Sequence, residues 1–155
     1  MSSQRLYDTD FYAWTQDQAE KLREVRDNRL DAANLAEEVA DLGKSELRAV
    51  TGHLDQLLIH LLKAAYSPAD PPRPGWLNEA DLHHREMLKA FTPSMRRKID
   101  LAGSWRTAVR VTNRELAHHG ERQLAADTPC PFTLDDLLAE EFDIDGAVAR
   151  LASGA

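Results

Sequence analysis

DAANLAEEVADLGKSELRAVTGHLDQLLIHLLKAAY, residues 31–66, contains no proline, and its apolar residues return at helical spacing: Leu35, Val39, Leu42, Leu47, Val50, Leu54, Leu57, Leu58 and Leu61. As one helix it measures about 50 Å at about 1.5 Å per residue, longer than a small domain is wide. The other segments read as shorter helices able to cover it. Gly43 falls within the apolar sector, where a glycine costs about 1 kcal/mol relative to alanine. Its use there is close approach by a neighbouring helix in one continuous rod; the alternative is a break, with Ser45 capping a new helix. The run LLIHLL, Leu57 to Leu62, is apolar nearly all round and must be central in a bundle or covered by a second subunit.

Upstream, Asp8 or Thr9 is placed to cap a first helix, with Phe11, Trp14, Gln18, Leu22 and Val25 on one narrow face. Asp27, Asn28 and Asp31 form the turn, and the long helix begins at Asp31, or at Asn34 with Glu37 completing a capping box. Downstream, SPADPPRPG at Ser67 to Gly75 holds four of the seven prolines and reads as a stiff extended connection. A third helix follows from Trp76 or Asn78 to Phe91, with Leu77, Ala80, His84, Met87, Leu88 and Phe91 on one side. Thr92-Pro93 starts a fourth, presenting Met95, Ile99, Ala102, Trp105, Val109 and Leu116, and Gly120 stops it. Thr133 caps a short amphipathic C-terminal helix with Leu134, Leu137, Leu138 and Phe142 apolar, and Asp145 caps a final turn. The fold class expected is therefore all-α: four main helices built around one long helix over about 32–66, plus a short C-terminal helix, in a single domain over residues 1–155.

With 43% hydrophobic and 29% charged residues, the chain has the balance of an ordinary globular protein. Its first residues lack the apolar core of a signal peptide, and no run approaches the ~18 apolar residues of a membrane span. The lone Cys130 excludes an internal disulfide and fits a reducing cytoplasm. A net charge of −7 argues against nucleic-acid binding by the whole surface.

Five blocks together resemble the bacterial domain-of-unknown-function family numbered 29. They are YDTDFYAWTQDQAEKLR (Tyr7 to Arg23), NLAEEVADLGKSE (Asn34 to Glu46), HLLKAAYSP (His60 to Pro68), PSMRRKI (Pro93 to Ile99) and CPFTLDDLLAEEF (Cys130 to Phe142). The resemblance covers nearly the whole chain. It implies a small helical prokaryotic protein and carries no activity and no catalytic residue. One departure is Ala64-Ala65, where the family pattern leads one to expect an aromatic after HLLK.

Candidate chemistry is sparse. His53 and His60, seven residues apart, share a stripe of the long helix, and Glu38 and Glu46 flank the same sector. Glu and His facing into a bundle are the makings of a metal site, but two helical turns put the histidines about 10.5 Å apart, so a site would need the third or fourth helix, where His83, His84, His118 and His119 offer nitrogens. Buried histidines bonded to a carboxylate or carbonyl are the commoner outcome. Cys130, between two prolines, reads as an anchor of the turn before the C-terminal helix. No phosphate loop, GxSxG, HExxH or paired-cysteine pattern occurs, and no cofactor is implied. Arg106, Arg110 and Arg114 fall at i, i+4, i+8 on one face of the fourth helix, while the C-terminal segment is acidic (Asp135, Asp136, Glu140, Glu141, Asp143, Asp145). Either the acidic segment docks on the basic one, or the arginines meet an acidic partner, protein or RNA. The functional expectation is a non-catalytic cytoplasmic interaction module whose partner is another protein or a second copy of itself. The alternative is a metal-dependent or histidine-based hydrolase-like enzyme.

Overall fold

The computed structural model describes residues 2–68 and 72–154. Among them the regular structure is helical throughout: α1 (Ser3–Thr9), α2 (Phe11–Glu24), α3 (Ala32–Tyr66), α4 (Arg73–Ala90), a 3₁₀ turn (Pro93–Lys98), α5 (Leu101–His118), α6 (Leu134–Leu138) and α7 (Ile144–Ser153). The chain divides into two compact units, residues 1–50 with 90–99, and residues 51–89 with 100–155. α3 runs unbroken through Gly43, contributing its first half to one unit and its second half to the other. Asp31 accepts from the Asn34 backbone at 3.3 Å and also takes the Asn34 side chain, so Asp31 caps α3 and Asn34 forms no box with Glu37.

In the first unit the cap of α2 is Asp10, one step beyond the expected Asp8 or Thr9, with α1 preceding it. Asp10 Oδ1 accepts from Ala13 N at 3.0 Å, and the carboxylate also takes Ser94 N at 2.8 Å and Ser94 Oγ at 2.7 Å. Burial alone would raise this carboxyl, but these hydrogen bonds outweigh it and hold the group below its ordinary value. The buried face of α2 is Tyr12, Thr15 and Ala19; Phe11, Trp14, Gln18 and Leu22 are half-buried and Val25 is exposed. The expected apolar face thus flanks the true contact. The reason lies on α3, where Ala36, Ala40 and Gly43 are buried while Leu35 and Leu42 are exposed. Thr15 sits against Gly43 so closely that a Cβ there would strike its Oγ1. Small residues let two backbones approach, and the rings of Tyr7, Phe11 and Trp14 pack on one another beside the contact, with centroids 4.8–5.6 Å apart.

In the second unit the contacts are large. Leu54, Leu57, Leu58, Leu61, Leu62, Met87 and Leu137 are fully buried, so the chain itself covers the LLIHLL run. α4 begins at Arg73 and takes Pro74 and Gly75 into its first turn, where proline's missing N–H has no helical partner to lose. The expected non-helical stretch is therefore shorter, and its residues 69–71 lie outside the described residues. The expected fourth helix is two elements. Pro93–Lys98 is a 3₁₀ turn that Thr92 leads without a side-chain cap, and Asp100 starts α5 by accepting from Gly103 N at 2.9 Å. Gly120, at φ 68°, ends α5 in the left-handed conformation. The stretch between α5 and α6 is held by Asn113, which exchanges two hydrogen bonds with the Leu124 backbone, and by Trp105 Nε1 donating to Thr128 O at 2.7 Å. Thr133 caps α6 as expected, with Asp136 completing a capping box, whereas the cap of α7 is Asp143, not Asp145.

Candidate functional site

Three arrangements in the second unit carry polar chemistry. The first is a histidine cluster between α3 and α4. His53 Nδ1 lies 3.0 Å from His83 Nδ1, and the His60 ring stacks on His83 with centroids 5.7 Å apart. One of the facing nitrogens must carry the proton and the other accept it. His60 Nδ1 donates to Gln56 O at 2.7 Å. Glu79 stands 3.7 Å from His83 Nε2. Burial, then the neighbouring His60 and His53, push the His83 pKa below its ordinary value, which favours the neutral ring. The two histidines singled out from sequence thus meet through a third. Glu38 and Glu46 are exposed on the first half of α3 and make no hydrogen bond or ion pair among the described residues. No group of three or more His, Cys, Asp or Glu among the described residues is arranged to hold a metal ion. The cluster can share and pass a proton, and its described contacts bring it no nucleophile.

The second is the arginine stripe of α5. Arg106, Arg110 and Arg114 are all exposed, and none of the three guanidinium groups makes a hydrogen bond or ion pair among the described residues. The acidic C-terminal segment does not neutralise them: Asp136 and Asp143 serve as caps, and Glu140, Glu141 and Asp145 stay exposed. Arg106 and Arg110 border an open groove of about 500 Å³ with Thr51, Asp55, Asp100 and Thr107. One carboxylate oxygen of Asp55 is buried there without a hydrogen-bond partner among the described residues. An orphan acceptor beside two unpaired cations is costly unless something else supplies a donor.

The third is a cavity that sequence reasoning passed over. Its walls come from the end of α3, the start of α4 and the end of α5, and it holds Lys63, Trp76, Thr112 and Glu115. Lys63 Nζ is 5.2 Å from the Trp76 ring centroid and 2.9 Å from Glu115 Oε2. The legible signal was a lysine inside an otherwise apolar run, which must find a carboxylate or an aromatic face.

Two other candidates are structural. His84 is buried and donates from Nε2 to Leu137 O at 3.0 Å, tying α4 to α6. Cys130 is half-buried with its sulfur 3.5 Å from Phe132 O, and burial pushes its thiol pKa up, which keeps it protonated and unreactive.

The model of a family described as "Domain of unknown function DUF29" matches residues 6–143. Among solved structures, an α-helical protein of unknown function from Rhodospirillum rubrum superposes with a TM-score of 0.85 at 34% identity, over 94% of this chain and 96% of that one. No curated protein matches the chain. No described helix is long and apolar enough to cross a membrane.

Proposed function

The chain belongs to the family of unknown function whose model spans it, and from that premise we propose that it is a non-catalytic cytoplasmic interaction module. Its contact surface is the arginine stripe of α5. The observation that carries this reading is that Arg106, Arg110 and Arg114 are exposed, aligned and uncompensated although the chain as a whole is acidic. Three guanidinium groups over about two helical turns match carboxylates at the same spacing on a partner helix, each able to bind bidentately. The partner is therefore an acidic protein helix, and the buried Asp55 oxygen asks it for one N–H or O–H donor as well. Exposed ion pairs contribute only about 0–1 kcal/mol each, so the stripe chiefly sets orientation, specificity and rate of association.

Affinity capture from the source cells, with wild type and the variant Arg106→Glu, Arg110→Glu, Arg114→Glu, tests this. A stoichiometric acidic partner is expected with wild type, weakened by raised salt and absent with the variant. A partner retained equally by both would refute the stripe as the contact. The self-association version predicts a dimer in light scattering that the same variant dissolves. One observation favours the histidine-based enzymatic alternative, the His53–His83 contact. Turnover in a hydrolase substrate screen that His53→Ala and His60→Ala both abolish would establish it over the interaction reading.

A further inference from the structure

The cavity between α3, α4 and α5 is a binding site by its composition. It holds about 460 Å³, within the range of sites for small molecules. One wall is the indole face of Trp76, on which the Lys63 ammonium already rests. Glu115 grips that ammonium with both oxygens, at 2.9 and 3.1 Å. Glu121, half-buried at the same cavity, has a carboxylate with no hydrogen bond or ion pair among the described residues. Thr112 is 1% exposed, and its hydroxyl oxygen, buried in this wall, has no hydrogen-bond partner among the described residues. Threonine in a helix ordinarily returns its hydroxyl to a backbone carbonyl of the preceding turn. A buried hydroxyl that does not is an unmade hydrogen bond.

The charges decide the ligand class. Two carboxylates face one ammonium that is already taken, and the remaining titratable group at the cavity is the exposed His119, so an anion entering it would meet repulsion from both Glu115 and Glu121. A cation meets the opposite: an unpaired carboxylate and an unpaired hydroxyl oxygen beside the indole. We infer that the cavity formed by Trp76, Thr112, Glu115 and Glu121 binds a small organic amine with a flat apolar body. The ammonium is received by Glu121 and the Thr112 oxygen, and the body lies along Trp76, where Leu116 completes the apolar wall. The inference is independent of the arginine stripe and uses none of its residues.

Isothermal titration calorimetry with two probes of nearly equal shape and opposite charge tests it, tryptamine and indole-3-propionate. Tryptamine is expected to bind saturably, with the carboxylate at least tenfold weaker. Glu121→Gln, a conservative change near the surface, is expected to weaken tryptamine about tenfold, and Thr112→Val several-fold at unchanged volume. Trp76→Leu is expected to remove the aromatic contribution and bring tryptamine close to the affinity of a plain alkylamine. Thermal melts of each variant separate loss of binding from loss of fold. Binding of indole-3-propionate as tight as tryptamine, tryptamine binding indifferent to Glu121→Gln, or no heat with either probe at millimolar concentration would each overturn the inference.

Discussion

The two halves of α3 belong to one unbroken helix and are buried by opposite means. In the first half the buried residues as far as Gly43 are Ala36, Ala40 and Gly43 itself, and the leucines Leu35 and Leu42 face solvent. In the second half the buried positions are mostly leucines, with Leu54, Leu57, Leu58, Leu61 and Leu62 wholly inaccessible. Yet one spacing governs both: positions 36, 40, 43, 47, 50, 54, 57, 61 and 64 advance by alternate steps of four and three, and all are buried except the half-buried Leu47. That is the spacing of a helix–helix seam. Burial along it is set by register, and residue size sets how near the neighbour comes.

The largest effect that should separate the halves is a cavity. Leu58→Ala is expected to destabilise by about 2–5 kcal/mol in chemical denaturation, whereas Leu42→Ala, at a 53% exposed position, should stay within about 0.5 kcal/mol. Comparable losses at the two sites would mean that the first half buries its leucines after all. Next in size is the cap that ties α2 to the 3₁₀ turn. Asp10→Ala removes an N-cap and leaves the Ser94 backbone donor without its acceptor, a loss of about 2–4 kcal/mol. Because the folded-state carboxyl sits below its ordinary value of 3.8, its contribution is complete above that pH and lost as pH falls through the folded-state value. The acid limb of the stability profile should therefore flatten in the variant.

Glycines of the two halves should respond with opposite signs. At Gly43 a methyl group meets Thr15, so Gly43→Ala is expected to cost about 1–3 kcal/mol despite the better helix propensity of alanine. At Gly52 nothing lies within 4 Å of the added carbon, and Gly52→Ala should stabilise by up to about 1 kcal/mol. Equal signs would remove the close approach from the account of the first half.

The smallest effect is on pH. His83 has a depressed folded-state pKa, so below its ordinary 6.5 the unfolded chain binds a proton that the native chain refuses, and stability falls as pH drops. Protonating both facing nitrogens of His53 and His83 would also set N–H against N–H. His60 adds repulsion, while Glu79 and Glu86 oppose it, so the slope is modest. His83→Gln should lessen the dependence between pH 5 and 7; an unchanged profile would show that the cluster does not titrate in this range.

The same register explains how much of the molecule was legible beforehand. From Leu47 onward the large apolar residues and the buried seam coincide, and the reading of the long helix, α4 and α6 holds in substance. Before Leu47 the sequence carries Leu35, Val39 and Leu42 one position away from Ala36, Ala40 and Gly43, and weighting by size selects the wrong stripe. Gly43 was the clue that pointed the right way, since only close approach gives a glycine a purpose in a long helix. The α5 start was also legible and missed. Asp100 and Asp143 each accept from the backbone of a glycine three residues on, so the D-x-x-G pattern marks both helix starts better than Thr92 or Asp145 did. Of the candidate sites, the arginine stripe followed from spacing on one helix. The His53–His83 pair and the Lys63–Trp76–Glu115 group join residues tens of positions apart, and no local pattern encodes that convergence.

The contrast leaves two surfaces that could recruit a partner, the uncovered Leu35 and Leu42 of the first unit and the unpaired arginines of the second. One capture experiment decides between them, comparing wild type, Leu35→Lys with Leu42→Lys, and the triple arginine-to-glutamate variant, each first shown to melt as wild type does. The account predicts that the leucine variant keeps the acidic partner at wild-type stoichiometry and that the arginine variant loses it. Loss with the leucine variant and retention with the arginine variant would contradict the account and move the functional surface to the first half of α3.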